Sequence, residues 1–358
     1  MRRFIRFSLV GLLLVVALAV SACAPQKPAG QPKKELGKIR VGYLPTNGAL
    51  LVWTAIEEGY FKDEGLTIEP SEFAASGKLY SALQAGQLDL GQGGIAAPVA
   101  FIANGADFKI VGGTMKYGAQ VMTRPERAAE FKTMADFKGK TVGTIRLATG
   151  DVVWRYGLYQ AGIDWKKDVT IKEFQSPGDA MTALKEGHVD AAVLWEPFGT
   201  IAEQQGNVIL KWTQEIFPHP CCRVVVDRKF AEANPDLVVA YLKGLIRAQQ
   251  FVEDPKNQAR VLEILKKYLR LDEATLKKSS LEVDPKLGNV RIPVTPEILT
   301  DLSTRYIDMM AQIGYISPEG AERAKSVIDE KYIIKAYMDL GLAKTEAEAR
   351  RLAGARAQ

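Results

Sequence analysis

The amino-acid sequence predicts an α/β protein of two lobes, each a mostly parallel sheet flanked by helices, with two crossover hinge segments between the lobes. Three observations predict this: an internal duplication at a fixed offset of 101 residues, an alternation of strands and helices in each copy, and two β-rich connections. The duplicated pairs keep glycines and a tryptophan in phase: Val41-Gly42 with Val142-Gly143, Val52-Trp53 with Val153-Trp154, Glu72-Phe73 with Glu173-Phe174, Gly86 with Gly187, and Asp89 with Asp190.

Each copy has the same order of predicted elements. A β-branched strand (38–43 or 141–145) precedes a loop and an amphipathic helix, and a second strand follows (66–73 or 169–174). Ser76-Gly77 or Pro177-Gly178 then opens another helix, which ends at a glycine, and a third strand begins at Leu88 or Val189. This β-α-β-α-β order predicts parallel strands with helices on both faces of the sheet.

The connections between the copies predict that the chain leaves one lobe and returns to it. Segments 112–123 and 219–227 are rich in β-branched and small residues, as expected of extended crossovers that act as a hinge. We therefore assign residues 37–120 plus 221–340 to lobe 1, residues 121–220 to lobe 2, and residues 341–358 to a C-terminal tail.

The returning segment is predicted to be mostly helical. A helical stretch begins at Asn234-Pro235-Asp236, another begins at Thr295-Pro296-Glu297, and a last helix ends near Gly341. The tail from Lys344 is short and charged, and we expect a frayed helix there.

The N-terminus has the pattern of a secretory signal. Arg2, Arg3 and Arg6 precede an apolar run over 7–20, which is shorter than the ~20 residues of a membrane-spanning helix. An uncleaved anchor helix is the alternative. We assign residues 1–22 to a signal peptide and 23–36, with its three prolines, to a disordered tether. Val20-Ser21-Ala22-Cys23 resembles the bacterial lipobox, so lipidation is expected at Cys23.

Composition excludes some classes of function. The net charge is +5, but the signal contributes three of these charges and no basic stripe is interleaved with aromatics, so we expect no nucleic-acid partner. After Cys23, only two cysteines remain and they are adjacent, which implies no disulfide framework. Gly91-Gln92-Gly93-Gly94 does not match a dinucleotide fingerprint, and we expect no cofactor.

The first candidates for ligand contact follow the strands of lobe 1, because ligands of such sheets bind beyond the carboxyl ends of the strands. Thr46 and Asn47 lie in the first such loop; Asn47 can donate and accept hydrogen bonds, and an ordinary turn residue is the alternative. Ser76 begins a helix whose free N–H groups favour an anion, or else Ser76 caps that helix. Gly93 and Gly94 end the third strand.

The second copy supplies matching candidates. We expect Asp151 to cap a helix and leave Thr149 facing the ligand. The offset pairs Gly94 with Trp195, so a small residue and a flat ring form a slot, with core packing of Trp195 as the alternative. Glu196 would repel a bare anion and favours a ligand with a cationic or N–H group, unless a cation neutralises it.

The crossovers add four further residues. Lys116 and Tyr117 are candidates to neutralise or contact Glu196, and Tyr117 is a candidate ligand contact. Cys221 and Cys222 stand where the second crossover re-enters lobe 1 and are also candidates for ligand contact. Metal binding needs more ligands than this pair supplies, so no metal site is expected.

Several motifs together resemble one known group. They are Val41-Gly42-Tyr43, residues 55–65 (AIEEGYFKDEG), residues 82–93 (ALQAGQLDLGQG), residues 189–198 (VDAAVLWEPF), Pro220-Cys221-Cys222 and residues 232–235 (EANP). Over residues 38–340, the chain is similar to the NMT1/THI5-like solute-binding proteins for nitrate, alkanesulfonates, taurine and thiamine-pyrimidine precursors.

The resemblance implies a periplasmic-binding-protein (type II) clamp. It would capture a small polar or anionic molecule outside the cytoplasmic membrane, as a lipid-anchored monomer, and deliver it to the permease and ATPase of an ABC importer. The same resemblance extends to a THI5-like pyrimidine-synthesis enzyme with a longer cysteine cluster, which is the alternative function. No set of nucleophile, base and orienting group is visible here, so we expect a binding protein and not an enzyme.

Overall fold

The computed structural model describes residues 35–356. The predicted signal peptide, Cys23 and most of the tether therefore lie outside the described residues. The first part of the chain contains β1 (Gly37–Tyr43), α1 (Leu50–Glu57), α2 (Tyr60–Asp63), β2 (Leu66–Glu72), α3 (Ser76–Gln84), β3 (Leu90–Gly94), α4 (Ala96–Ala103) and β4 (Phe108–Gly113).

The middle of the chain builds a second sheet with its own helices. It contains β5 (Ala119–Thr123), β6 (Thr141–Thr144), α5 (Thr149–Gln160), β7 (Thr170–Glu173), α6 (Pro177–Lys185), β8 (Ala191–Trp195), α7 (Phe198–Gln204), β9 (Val208–Trp212) and α8 (Thr213–Ile216).

The returning segment adds one strand to the first sheet and is otherwise mostly helical. It contains β10 (Cys222–Asp227), α9 (Arg228–Ala233), α10 (Pro235–Glu253), α11 (Gln258–Leu269), α12 (Glu273–Ser280), β11 (Val283–Asp284), β12 (Asn289–Val290), α13 (Thr300–Gln312), α14 (Pro318–Ser326), α15 (Lys331–Asp339) and α16 (Glu346–Leu352).

The two large sheets have the same topology. Their strand orders are β2-β1-β3-β10-β4 and β7-β6-β8-β5-β9, and we call the halves built on them lobe 1 and lobe 2. In each sheet the three strands of the repeated unit pair in parallel, whereas the two strands nearest the crossovers pair antiparallel. In each sheet four of the five strands therefore run in the same direction, as predicted, and the one reversed strand, β10 or β5, is the strand that each crossover delivers.

The duplication has a structural counterpart at the predicted offset. The helices α3 and α6 and the strands β3 and β8 begin 101 residues apart. Asp89 accepts a hydrogen bond from the backbone N–H of Arg40 at 2.8 Å, and Asp190 accepts the equivalent bond from Thr141 at 2.8 Å. Each carboxylate therefore ties the first strand of its repeated unit to the turn before the third strand of that unit.

A glycine in the first strand of each copy permits the same close approach. A Cβ on Gly42 would lie 3.2 Å from the ring of Phe73, and a Cβ on Gly143 would lie 3.0 Å from the ring of Phe174. Larger side chains at these positions would push away the aromatic residue that follows the second strand.

Both faces of each sheet are covered. In lobe 1, α10 and α15 cover one face, while α4, α13 and α14 cover the other. In lobe 2, Trp154 of α5 packs on one face and Leu184 of α6 on the other. Burial on both faces accounts for the nearly continuous apolar strands, such as Ala191–Trp195.

Two expectations for the returning segment are wrong. The helix expected at Thr295 begins at Thr300, because residues 294–296 run alongside the first crossover: the Thr295 N–H bonds to Thr114 O and Pro296 O accepts from Gly113. The tail is also not frayed. It forms α16, whose Ala349 is fully buried in the lobe 1 core.

Among the described helices, none has the length and apolar character needed to cross a membrane.

Candidate functional site

A small cavity lies between the lobes, at the carboxyl ends of the strands. Its volume is about 50 Å³, which suits a compact head group with a short apolar part. Its lining consists of Leu44, Thr46, Gly48, Ser76, Gly94, Met115, Tyr117, Gly118, Ala119, Ala148, Thr149, Gly150, Trp195, Glu196, Cys221 and Cys222. Both lobes and both crossovers contribute, because their strand ends converge here.

Nine of the predicted ligand contacts line this cavity: Thr46, Ser76, Gly94, Tyr117, Thr149, Trp195, Glu196, Cys221 and Cys222. Two do not. Asn47 is buried, and its side-chain amide donates to the hydroxyls of Ser279 and Ser280. Gly93 packs against α3 instead, where a Cβ would lie 3.3 Å from the Ser76 hydroxyl oxygen.

Two helices begin at the cavity, one from each lobe, without a side-chain cap. The N-cap residues of α3 and α5 are Ala75 and Ala148, and neither makes a capping hydrogen bond. In contrast, Ser176 caps α6, the copy of α3, by accepting from the Asp179 N–H. Alanine is a poor N-cap residue, so the first N–H groups of α3 and α5 stay available to an acceptor from the cavity.

This geometry rules out the capping role that was the alternative for Ser76, and it corrects the capping role expected of Asp151. Ser76 is the first helical residue of α3 and does not cap it, and its hydroxyl oxygen accepts from the Gly94 N–H at 3.3 Å. Asp151 also does not cap. Its carboxylate accepts from Thr144 and from Arg155, both at 2.9 Å.

Thr149 turns its hydroxyl towards the cavity, next to the Cys221 thiol. The residue is 4% exposed and its hydroxyl oxygen has no hydrogen-bond partner among the described residues. A buried hydroxyl without a partner costs free energy, so a ligand acceptor or donor at this point would be stabilised.

Glu196 does not present a free carboxylate to the cavity. One carboxylate oxygen accepts from Gln120 and Arg291, both at 3.1 Å, and the other accepts from the Thr200 N–H at 3.1 Å. The partner of Glu196 is therefore the Arg291 cation, and not Lys116 or Tyr117. No local sequence pattern indicates this pairing, because the two residues are 95 positions apart.

Arg291 joins the lobes through a buried charge cluster. Besides Glu196, its guanidinium contacts Glu203 at 2.7 Å and Asp284 at 2.8 Å, and it lies 5.2 Å from the centre of the Trp212 ring. Its side chain is only 3% exposed. Three carboxylates thus surround Arg291, and one of them, Glu203, also pairs with Lys278 at 3.3 Å.

The two crossovers pair with each other behind the cavity. Lys116 forms an antiparallel bridge with Pro220, and the Cys221 N–H donates to Met115 O at 3.2 Å. Tyr117 has a left-handed backbone with φ of 59°, which few non-glycine residues adopt, and this turn directs the chain into lobe 2.

His219 is a structural residue of the second crossover. It is fully buried, and burial lowers its pKa to about 4. Its ring nitrogens contact the Thr213 hydroxyl at 3.0 Å and Pro220 O at 2.9 Å, and Tyr117 packs against its ring edge. Both nitrogens are therefore occupied.

A buried cation lies beneath the cavity. The guanidinium of Arg223 donates to Glu297 O at 2.7 Å and to Met115 O at 2.9 Å. No carboxylate of the described residues lies within ion-pair distance of it, and burial lowers its pKa to about 10, so it stays charged at neutral pH. The hydrogen bond between Cys221 and Cys222 lowers the pKa of Cys221 and raises that of Cys222.

A wider opening lies outside the cavity, between α3 and the segment before α5. It has a volume of about 540 Å³, and its lining includes Lys78 and Arg146 but no carboxylate. Two cations at this opening favour the approach of an anion.

Seven lining residues were not among the predicted ligand contacts, although Leu44, Gly48 and Gly150 lie in loops expected to face the cleft: Leu44, Gly48, Met115, Gly118, Ala119, Ala148 and Gly150. Met115, Gly118 and Ala119 lie in a crossover that the sequence did identify, so membership of that segment was the available signal. Leu44, Gly48, Ala148 and Gly150 lie within two residues of named candidates, but a glycine or a small apolar side chain carries no chemical signature of its own.

Comparisons with known proteins agree with the architecture. The sequence profile of the NMT1-like family matches residues 32–266. A protein of Bacillus subtilis, assigned by name to aliphatic sulfonate binding, is 29% identical over 260 residues, covering 70% of this chain and 76% of that protein. A protein of Escherichia coli with the same assignment is 27% identical over 266 residues, covering 73% and 78%.

Solved structures share the fold. The alkanesulfonate-binding protein SsuA from Xanthomonas axonopodis pv. citri, bound to MOPS, has a TM-score of 0.67 at 20% identity, covering 80% of this chain and 97% of that one. The periplasmic nitrate-binding protein NrtA from Synechocystis PCC 6803 has a TM-score of 0.73 at 16% identity, covering 87% and 91%. The predicted two-lobed periplasmic-binding-protein fold and the predicted family resemblance are confirmed.

Proposed function

The chain belongs to the NMT1-like family, and from this premise we propose that it is the extracytoplasmic solute-binding component of an ABC importer. Its ligand is a small oxyanion with a short apolar part, of the sulfonate type, held between the lobes. The permease and ATPase of the importer are its partners, and a lipid on Cys23 holds it at the membrane.

The observation that carries the ligand class is the pair of uncapped helix N-termini at the cavity. The starts of α3 and α5 come from opposite lobes and both line the same small space. Helix N-termini carry partial positive charge and free N–H donors, which together bind anions. In this closed arrangement both donor sets face one oxyanion, and the Thr149 hydroxyl adds another donor.

The charges around the cavity support the same class. The only carboxylate in the lining, Glu196, is neutralised by Arg291, so it does not oppose an anion. Beneath the cavity, Arg223 adds a positive charge that carbonyl oxygens alone solvate. A free Glu196 would have favoured a ligand with a cationic or N–H group, but its carboxylate already accepts from Gln120, Arg291 and Thr200.

The apolar lining favours an alkyl sulfonate over a bare inorganic anion. Leu44, Met115 and the half-buried Trp195 offer apolar surface beside the helix N-termini. Burying each methylene of a ligand on such surface contributes about 0.8 kcal/mol, which nitrate cannot gain.

Non-catalytic capture is supported by the relatives, which are assigned by name to binding. Export is supported by the structural neighbour NrtA, which is named as a periplasmic protein.

A thermal-shift screen tests the proposal. Short alkanesulfonates, taurine, nitrate, bicarbonate and formylaminopyrimidine would each be added in metal-free buffer. A ligand at 100 times its Kd stabilises the folded state by about 2.7 kcal/mol. We expect alkanesulfonates to give the largest shift. Stabilisation by the neutral pyrimidine and none by the anions would overturn the proposed ligand class.

A further inference from the structure

One wall of the cavity is made of sulfur. Cys221 Sγ and Cys222 Sγ lie 4.0 Å apart, and both residues line the cavity together with Met115. A Cβ placed on Gly48 would lie 2.8 Å from Cys222 Sγ and 2.9 Å from Met115 Sδ, so both sulfur atoms pack against the backbone of Gly48. We call Met115, Cys221 and Cys222 the sulfur triad.

The spacing of the thiols suits a metal ion of low coordination number. Sulfur ligands held about 2.3 Å from a metal in a trigonal plane are separated by about 4 Å, which matches the Sγ–Sγ distance. Two thiolates and a thioether are soft ligands, and such ligands select Cu(I) over harder cations. Sequence alone offered only two adjacent thiols, because Met115 reaches them from the other crossover.

The surroundings disfavour other metals. Among the described residues, no group of three His, Cys, Asp or Glu side chains is placed to hold a metal ion, and both nitrogens of nearby His219 are already bonded. Zinc and iron sites draw on such nitrogen, oxygen or thiolate ligands, whereas the thioether of Met115 is a ligand for softer ions.

Arg223 supplies the charge balance. One monovalent ion with two thiolates carries a net charge of −1. Arg223 directly follows Cys222 in the chain, and its guanidinium donates to carbonyl oxygens and has no carboxylate partner among the described residues. The metal–thiolate centre would then supply a negative charge to a buried cation that is otherwise hydrogen-bonded only to carbonyl oxygens among the described residues.

We propose that the sulfur triad binds one monovalent soft metal ion, Cu(I) or Ag(I), through the thiolates of Cys221 and Cys222 and the thioether of Met115. Binding forms three metal–sulfur bonds and releases the two thiol protons to solvent, with no change of oxidation state. The site shares the cavity with the proposed solute but does not depend on the identity of that solute.

The test uses Ag(I) as the probe, since it does not change oxidation state in air. The reduced full-length chain in chloride-free buffer would be titrated by calorimetry, with thiolate-to-metal absorption in the ultraviolet recorded in parallel. We expect one equivalent to bind. Cys221→Ser and Cys222→Ser should each weaken binding by about 100-fold or more, and Met115→Leu by about 10-fold, since even partners outside the ligand set change affinity by 10–100-fold.

Controls separate this site from the rest of the chain. Cys23→Ser removes the third cysteine of the chain, and Met338→Leu removes a methionine outside the cavity lining. Both variants should still bind one equivalent of Ag(I). Circular dichroism melting verifies that each variant is folded. Retention of full affinity in both cysteine variants, or in Met115→Leu, would overturn the three-sulfur site.

The two proposals fail in different ways. Solute binding measured with a metal chelator present addresses the proposed function alone, whereas Ag(I) binding measured without solute addresses the sulfur triad alone. One equivalent of Ag(I) bound by a chain that no solute stabilises would overturn only the proposed function, and solute stabilisation of a chain that binds no Ag(I) would overturn only the sulfur triad.

Discussion

Gly94 and Thr149 both line the cavity and lie in contact with each other. A Cβ on Gly94 would lie 2.7 Å from the Thr149 hydroxyl oxygen and 3.6 Å from the Thr149 backbone nitrogen. Gly94 ends β3 of lobe 1 and Thr149 begins α5 of lobe 2, so the lobes touch at this point. The absence of a side chain on Gly94 permits the closed arrangement.

Gly94→Ala should therefore open the clamp. Overpacking at a close contact costs about 1–3 kcal/mol, and here the lobes can relieve it by separating. We expect a larger radius of gyration by small-angle scattering, and a loss of affinity for a short alkanesulfonate of about 5-fold to 100-fold. Gly178→Ala is the matched control, because its Cβ would meet only ordinary contacts. Equal scattering profiles for both variants would contradict the steric argument.

Arg291→Met should destabilise the fold strongly. The change leaves Glu196 and Asp284 buried without their shared cation, and breaking a buried ion pair costs about 3–5 kcal/mol. Urea unfolding followed by circular dichroism measures this. Arg260→Met is the control, since its side chain is 42% exposed and pairs at the surface, so about 1 kcal/mol or less is expected. Similar midpoints for the two variants would refute a structural role for the Arg291 cluster.

Much of the fold could be predicted because its signals are local. Strand and helix periodicity, with helix-ending glycines such as Gly86 and Gly187, located the elements of both copies, and the repeat added agreement between them. The start of α13 could not be predicted this way. Thr295 and Pro296 form a good helix start in isolation, but tertiary hydrogen bonds to the first crossover hold them extended.

The candidate site was predictable in its location but not in its electrostatics. The strand-end rule identified Thr149 and Trp195 from chain order alone. The neutralisation of Glu196 by Arg291 depends on a long-range contact, and no local pattern encodes it. The same limit applies to Met115, which joins Cys221 only after the crossovers pair.

Ala349→Glu tests the packing of the tail. Ala349 is fully buried and Ala347, on the same helix, is exposed. A charge forced into the core at Ala349 should cost about 3 kcal/mol or more, whereas Ala347→Glu should change stability by less than about 0.5 kcal/mol. Thermal melting compares the two. A frayed tail would make both substitutions equally harmless.

Cys23→Ser tests the proposed anchor. Because the residue follows a lipobox-like Val-Ser-Ala, the substitution should release the protein from membranes or block its processing. Membrane fractionation with a labelled fatty acid distinguishes the variant from the parent chain, and Cys221→Ser, which leaves the lipobox intact, is the control. Equal membrane retention, with no label on the parent chain, would reject lipidation.

Trp195→Ala should change how affinity depends on ligand chain length. The half-buried ring lines the cavity beside apolar residues, so each methylene added from methanesulfonate to propanesulfonate should gain about 0.8 kcal/mol, or about 4-fold in affinity, until the cavity is full. Without the ring, these methylenes have no wall to pack on, and calorimetry should give a flatter series. Methanesulfonate should bind nearly as before, because the starts of α3 and α5 hold its anionic group. Trp165→Ala is the control, since that ring stacks on Arg155 outside the cavity lining. A uniform loss of affinity along the whole series would instead mean that Trp195 orders the cavity and does not contact the alkyl chain.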